Sequence, residues 1–470
     1  MTRQIPHNAP TSPPAAADPG PLAAVDPDLR PVRAEGLSLL GEYEGGGYDE
    51  PRYLVSRGDG QMVLVSRMLN AVLAGVGDGR TLAQIAENAG QTYGAVLSPE
   101  AVHYLIEHKL KPLGLAGFGE EEQEERPRAN PLLGLSLRGV LLPAKVVRRL
   151  AAVFYPLFVA PVIVTVLLAL GVLDVWLLAT GHANASIHAS IGSPLLMLAV
   201  FGVMLANTLF HECGHAAGCH YGGGQPGAIG VGVLIMVPAF YTNVNDAYRL
   251  DRRGRLRTDL GGIYFNAVFA VVIGAIYLLT GFAPLPAIIV LIHLQILQQL
   301  IPLVRLDGYY ILGDLVGVPN LFEQIPHILR RAILRREPAR PIATLRPRTR
   351  RIITAWVALV VPALIAALVN LILFLPSYLH TASINIAHYW QVCGIGIAEG
   401  DVGIAAVAVI SIVVLLVPWV GLTSLVLRTI AKVTLLVARR RRKAAAESKR
   451  RGGACGTEGG VAAYQRQATR

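Results

Sequence analysis

The chain has 470 residues, 53% of them hydrophobic and only 16% charged, with a mean hydropathy of +0.49 and a formal net charge of +11. That composition excludes an ordinary soluble protein and points to several membrane crossings. The basic excess does not require a nucleic-acid partner, because it sorts to one side of the apolar segments, as the positive-inside rule expects. The four cysteines show no spacing that reads as a disulfide framework. Cys213 and Cys219 point in different directions on a helix and are expected to be inert thiols.

Residues 1–35 are rich in Pro and Ala and carry no apolar core segment, so a disordered leader is expected rather than a signal peptide. Residues 36–118 have the pattern of a small α+β domain. Tyr53–Val55 and Met62–Val65 are short β-type runs joined across Gly58-Asp59-Gly60, a hairpin signal. A first helix is expected near Ser66–Val76. A second opens at Thr81, with Gln84 completing a capping box. A third opens at Ser98 with Pro99 in its first turn, and Val102, Leu105, Ile106 and Leu110 form its apolar face. A hairpin with three helices suggests a winged-helix-like module. Its Leu-Asn-Ala-Val-Leu, Asp-Gly-Arg-Thr-Leu and Leu-Gly-Leu elements resemble PqqD-like domains over about sixty residues. That resemblance implies capture of a leader peptide on a sheet edge. No dense basic run marks a DNA-recognition helix.

Residues 119–149 are expected to be an acidic, proline-punctuated linker and a pre-membrane segment. From about 150 to 430 come six long apolar segments, near 151–179, 190–218, 260–281, 284–304, 352–378 and 402–427. Lys145, Arg148 and Arg149 precede the first. Five arginines from Arg249 to Arg257 lie between the second and third, and nine from Arg330 to Arg351 between the fourth and fifth. Arg439 to Arg442 follow the sixth, while the connections near 180–189, 282–283 and 379–401 contain no Lys or Arg. Both termini are therefore expected in the cytoplasm of a multi-pass plasma-membrane protein. Residues 431–470 read as a basic tail, disordered or lying on anionic lipid.

The chemistry concentrates at His211-Glu212-Cys213-Gly214-His215, which follows about sixteen nearly uncharged residues, roughly 24 Å of helix. Histidines four apart share one helix face, so both imidazoles can reach one zinc ion, while Glu212 can act as general base on water. HExxH alone recurs by chance, but here it places ionisable groups in a segment long enough to enter lipid. Such groups cost about 2.5–3.5 kcal/mol at mid-helix and mark function. A catalytic zinc takes three protein ligands. Asp307, in Pro302-Leu303-Val304-Arg305-Leu306-Asp307-Gly308 at the same end of the fourth span, is the leading candidate; pairing with Arg305 is its alternative. Pro302 is expected to break the helix there.

HExxH followed by Pro-x-x-x-Leu-Asp-Gly resembles the site-2 protease family of intramembrane zinc metalloproteases. Arg305 to Tyr310 with Gly317-Val318-Pro319-Asn320-Leu321 is most similar to its bacterial "putative peptide zinc metalloprotease" branch. The resemblance covers roughly residues 145–430. It implies His211, His215 and Asp307 as zinc ligands and Glu212 as the residue that activates water. The family often carries Asn where this chain has Gln299, and a second Gly where it has Tyr309, which touches substrate positioning more than metal binding. Gly262 to Asn266 resembles a further motif of the family, leaving Asn266 open between a substrate or oxyanion contact and an interhelical hydrogen bond. Residues 228–241 are apolar but too short to span, and the resemblance implies a re-entrant β-like segment able to pair with an unfolded substrate.

Asn207, one turn before His211, is a candidate to orient its ring, with helix packing the plainer role. Asp246 is a weaker ligand candidate than Asp307, because arginines follow it, and His182, His188, His380 and His388 fall on the outer side. The expected fold is an all-α polytopic membrane protein, six transmembrane helices around an intramembrane zinc site, with the small cytoplasmic N-terminal domain. The expected function is a zinc metallo-endopeptidase acting on a membrane-embedded or membrane-delivered peptide. The alternatives are a non-hydrolytic subunit for maturation or export of a ribosomally made peptide, and a metal transporter, against which the intact Glu212 argues.

Overall fold

The structure is a computed structural model. It describes residues 25–59, 61–118, 136–182, 186, 194–234, 237–334, 344–417 and 419–424, with 427, 430, 431 and 434. The chain divides into two compact units.

The N-terminal unit has strands β1 (Val32–Arg33), β2 (Ser38–Glu42), β3 (Arg52–Ser56), β4 (Met62–Ser66) and β5 (Ala116–Gly117) and helices α1 (Arg67–Gly75), α2 (Leu82–Tyr93) and α3 (Pro99–Leu105). β2, β3 and β4 form an antiparallel sheet, and β1 pairs with β5. β2 is a strand that the hairpin signal did not announce. The expected caps are present. Thr81 and Gln84 close a capping box on α2, and Ser98 accepts from the Ala101 amide at the start of α3. Val102, Ile106 and Leu110 are fully buried with Val55, Val72, Leu73, Leu82 and Ile85 in one core. Two boundaries move. The leader expected over 1–35 gives way at its end, because β1 is paired; residues 1–24 lie outside the described residues. Residues 316–318 and 322–352, expected to belong to the membrane domain, group with this unit. The reason is backbone pairing: the Gly47 amide donates to the Gly317 carbonyl (2.9 Å), and the Arg346 amide to the Gly47 carbonyl (3.0 Å).

Among the described residues the second unit begins with a strand, inside the stretch expected to be a linker and pre-membrane segment. β6 (Ser136–Leu142) pairs with β7 (Ile229–Leu234), which pairs with β8 (Val237–Thr242), giving a three-stranded antiparallel sheet with β8 at one edge. The other linker residues, 119–135, lie outside the described residues. Then come α4 (Ala144–Phe154), α5 (Ala160–Thr180), α6 (Pro194–Tyr221), α7 (Arg252–Thr280), α8 (Leu285–Leu300), α9 (Asp307–Val316), α10 (Pro347–Glu399) and α11 (Val402–Ser424).

Among the described residues five helices are long and apolar enough to cross a membrane: α5, α6, α7, α10 and α11. The expected fourth span is a shorter apolar helix, α8, of 16 residues. It stops at Ile301, which is extended (φ −71°, ψ 115°), because Pro302 has no amide to continue the ladder. The first expected span is also divided. Val159 is extended between Pro156 and Pro161, so residues 144–154 form the separate helix α4, with Val147 and Ala151 packed against α6 residues Cys213, Ala216 and Ala217. The connection expected over 379–401 is helical to Glu399. Pro362 and Pro376 lie inside α10 without ending it, each removing one ladder bond while the rest hold. Of the tail over 431–470, only 431 and 434 are described.

Candidate metal centre

α6 carries His211 and His215 one turn apart, and α9 begins with Asp307. His211 Nε2 lies 3.1 Å from His215 Nε2 and 3.2 Å from Asp307 Oδ2, and His215 Nε2 lies 3.4 Å from Asp307 Oδ1. His211 is 2% exposed and His215 9%. Among the described residues these three form the group whose donor atoms could hold a metal ion.

Local packing explains the convergence. α6 and α7 cross where Gly214 and Gly261 face each other, and a Cβ on either would strike the other's backbone carbonyl. Small residues at a crossing let two backbones approach in lipid. Gly262, the next residue, lies under both imidazoles, and a methyl group there would overlap their Nε2 atoms. Close contact brings α7 to His215, whose Nδ1 donates to the Thr258 carbonyl at 2.9 Å. That bond fixes the tautomer with the lone pair on Nε2, turned toward Asp307.

The arrangement fits a metal. Tetrahedral bonds of about 2.0–2.1 Å place neighbouring ligand atoms about 3.3 Å apart, close to the three distances here. Asp307 Oδ2 is buried with no hydrogen-bond donor. A His215 lone pair, a second imidazole and a carboxylate crowded at such range suit a cation held between them.

Glu212 points into the same space. Thr242 Oγ, at the end of β8, lies 2.6 Å from Glu212 Oε2 and 3.0 Å from its backbone carbonyl. A cavity of about 1230 Å³ is lined by His211, Glu212, His215 and Asp307, by residues 239–243 of β8 and the turn after it, and by Gln295, Gln298 and Gln299 of α8. Gln299 accepts from Asn266 Nδ2 at 3.3 Å, and its amide nitrogen lies 3.3 Å from His211 Nε2. The two residues singled out for substrate contact therefore form one amide pair beside the histidines. Asn266 Oδ1 remains buried without a partner.

Other candidates fall away from the triad. Asn207 donates to Gln295 Oε1 at 3.0 Å, joining α6 to α8 rather than orienting His211. Asp246 accepts from the Gln225 amide and pairs with Arg249. Arg305 reaches Asn320 Oδ1 at 3.3 Å and lies over the Tyr309 ring, while Asp307 faces the histidines. His182 stacks on Trp176; His188 lies outside the described residues. Thr242, Thr258 and Gln295 were not singled out from the sequence. A lone threonine or glutamine carries no motif, and each acts through a neighbour distant in the chain.

No protein-family model matches this chain, and neither the curated proteins nor the solved structures compared with it give a match.

Proposed function

We propose that this protein is an intramembrane zinc metallo-endopeptidase of the site-2 protease type, hydrolysing a peptide bond in a membrane-embedded or membrane-delivered peptide. The observation that carries the reading is the triad itself: two imidazoles on one apolar helix and a carboxylate from a second helix, with Glu212 facing the same cavity. His211 and His215 with Asp307 are the zinc ligands. Nitrogen and carboxylate donors in a three-ligand set suit zinc and leave an open position. Zinc bound there would polarise the scissile carbonyl and lower the pKa of water to about 7.

The chain's own residues do the rest. Glu212 takes a proton from the attacking water as the new C–O bond forms, and delivers it to the leaving amine as the C–N bond breaks. Thr242 holds the Glu212 carboxylate by its hydroxyl. β8, the outer strand of its sheet, borders the cavity, where an extended substrate would pair with it through main-chain bonds. Gln299 lines the cavity and would offer its amide to the carbonyl side of the bond, with Asn266 holding it from behind. The basic connections argue for cytoplasmic termini in the plasma membrane. The N-terminal unit is assigned capture of a leader peptide.

Detergent-purified full-length protein should contain about one zinc, lost in His211→Ala. Glu212→Gln should keep the zinc and cleave no member of a quenched-fluorescent peptide library that the wild type cleaves. A zinc-free wild type, or a Glu212→Gln protein as active as wild type, overturns the reading. A protein that binds zinc, cleaves nothing and still supports export of a co-expressed precursor is instead the non-hydrolytic subunit.

A further inference from the structure

Arg255, in the basic opening of α7, is an unusual residue to find 1% exposed, and Asp314, its partner, is 7% exposed. Arg255 Nε donates to Asp314 Oδ1 at 2.9 Å and its Nη1 to the Leu250 carbonyl at 2.9 Å. One turn further along α7, Asp259 lies beside Asp314. Arg252, one turn before, donates to the Leu315 carbonyl at the end of α9. The first two turns of α7 therefore grip the far end of α9 at several points. Asp314 and Asp307 are seven residues apart on α9, so they lie on one face, two turns apart.

We propose that the Arg255–Asp314 pair positions the metal-binding carboxylate of Asp307, setting the rotation of α9 relative to the histidines. This inference rests on the zinc reading above. The same stretch of α7 offers the Thr258 carbonyl to His215, so one helix start sets both an imidazole and the carboxylate. α9 is only 10 residues long, and its first residue is the ligand. A carboxylate about 5 Å from the helix axis moves about 0.9 Å when the helix turns by about 10°. Metal–ligand distances tolerate roughly 0.2 Å. A buried ion pair is a poor source of stability, since apolar residues of like size often serve as well. What this one supplies is direction: a planar guanidinium fixed by a carbonyl on one side and a carboxylate on the other.

The test is zinc affinity of detergent-purified full-length protein, by competition with a chromogenic chelator, beside its melting temperature. Asp314→Asn should stay folded and lose about tenfold or more in zinc affinity, the scale of second-layer effects at metal sites. Arg255→Lys should recover part of what Arg255→Met loses. In an Asp307→Ala background, which retains both histidines, Asp314→Asn should change the weakened affinity less than twofold. If Asp314→Asn does not fold, the double variant Arg255→Met with Asp314→Leu replaces the pair by packed apolar side chains and should fold with the same zinc defect. Zinc affinity within twofold of wild type in a folded variant overturns the proposal, as does an equal loss with and without Asp307. A wild type that binds no zinc overturns instead the peptidase reading on which it rests.

Discussion

Both units bury apolar side chains, and they differ in how many polar ones they bury beside them. The N-terminal unit hides Val55, Val72, Leu73, Ile85 and Ile106 in a continuous apolar core. The second unit hides Asn207, His211, Glu212, His215, Arg255, Thr258, Asn266 and Asp314, while Leu168, Leu278 and Leu279 face outward. In water, burying apolar surface drives folding at about 25 cal/mol per Å². In lipid that drive between helices is absent, and close packing with polar contacts takes its place. The lesson is that the buried polar residues of the second unit join its helices and also hold its chemistry, so a change there strikes both.

The largest effect that would break this contrast is expected at the helix crossing. Gly262→Val should abolish zinc binding by filling the space beneath both imidazoles, read as zinc content of protein that still inserts in the membrane. In the apolar core, Leu73→Ala should destabilise the N-terminal unit by about 2–5 kcal/mol without altering zinc content. Hydrogen exchange in the full chain reads that difference, and a change in zinc content would show the two interiors to be coupled. Thr242→Val removes the hydroxyl bonded to Glu212. The loss of about 1–1.5 kcal/mol should lower peptide cleavage about tenfold while zinc stays bound. The smallest effect is expected at Leu279, which is 87% exposed on α7. Leu279→Ala should leave stability within about 0.5 kcal/mol of wild type, and a large shift in melting temperature would mean that a neighbour covers it.

How far the sequence could be read followed the range of each interaction. The capping box at Thr81, the hairpin between β3 and β4 and the face formed by Val102, Ile106 and Leu110 are local, and each stands where its pattern placed it. The end of α8 near Pro302 was legible for the same reason. Residues without a local signature were misread. Ser136–Leu142, taken as part of a linker and pre-membrane segment, joins a sheet whose partner is about ninety residues away, a distance over which no period carries information. Residues 379–399, taken as a connection between two long apolar segments, continue α10, because an isolated proline weakens a helix without ending it.

By itself the sequence determined that His211 and His215 share a face with Glu212 between them, since the period of a helix decides that within five residues. It also determined which segments are apolar enough to enter a membrane. Only the tertiary structure decided that Asp307 faces those imidazoles, that Thr258 turns His215 toward it, and that Arg255 reaches Asp314. Each of those contacts joins separate helices, the Thr258–His215 bond at a crossing set by Gly214 and Gly261, and a crossing is a property of two packed surfaces that neither segment encodes alone.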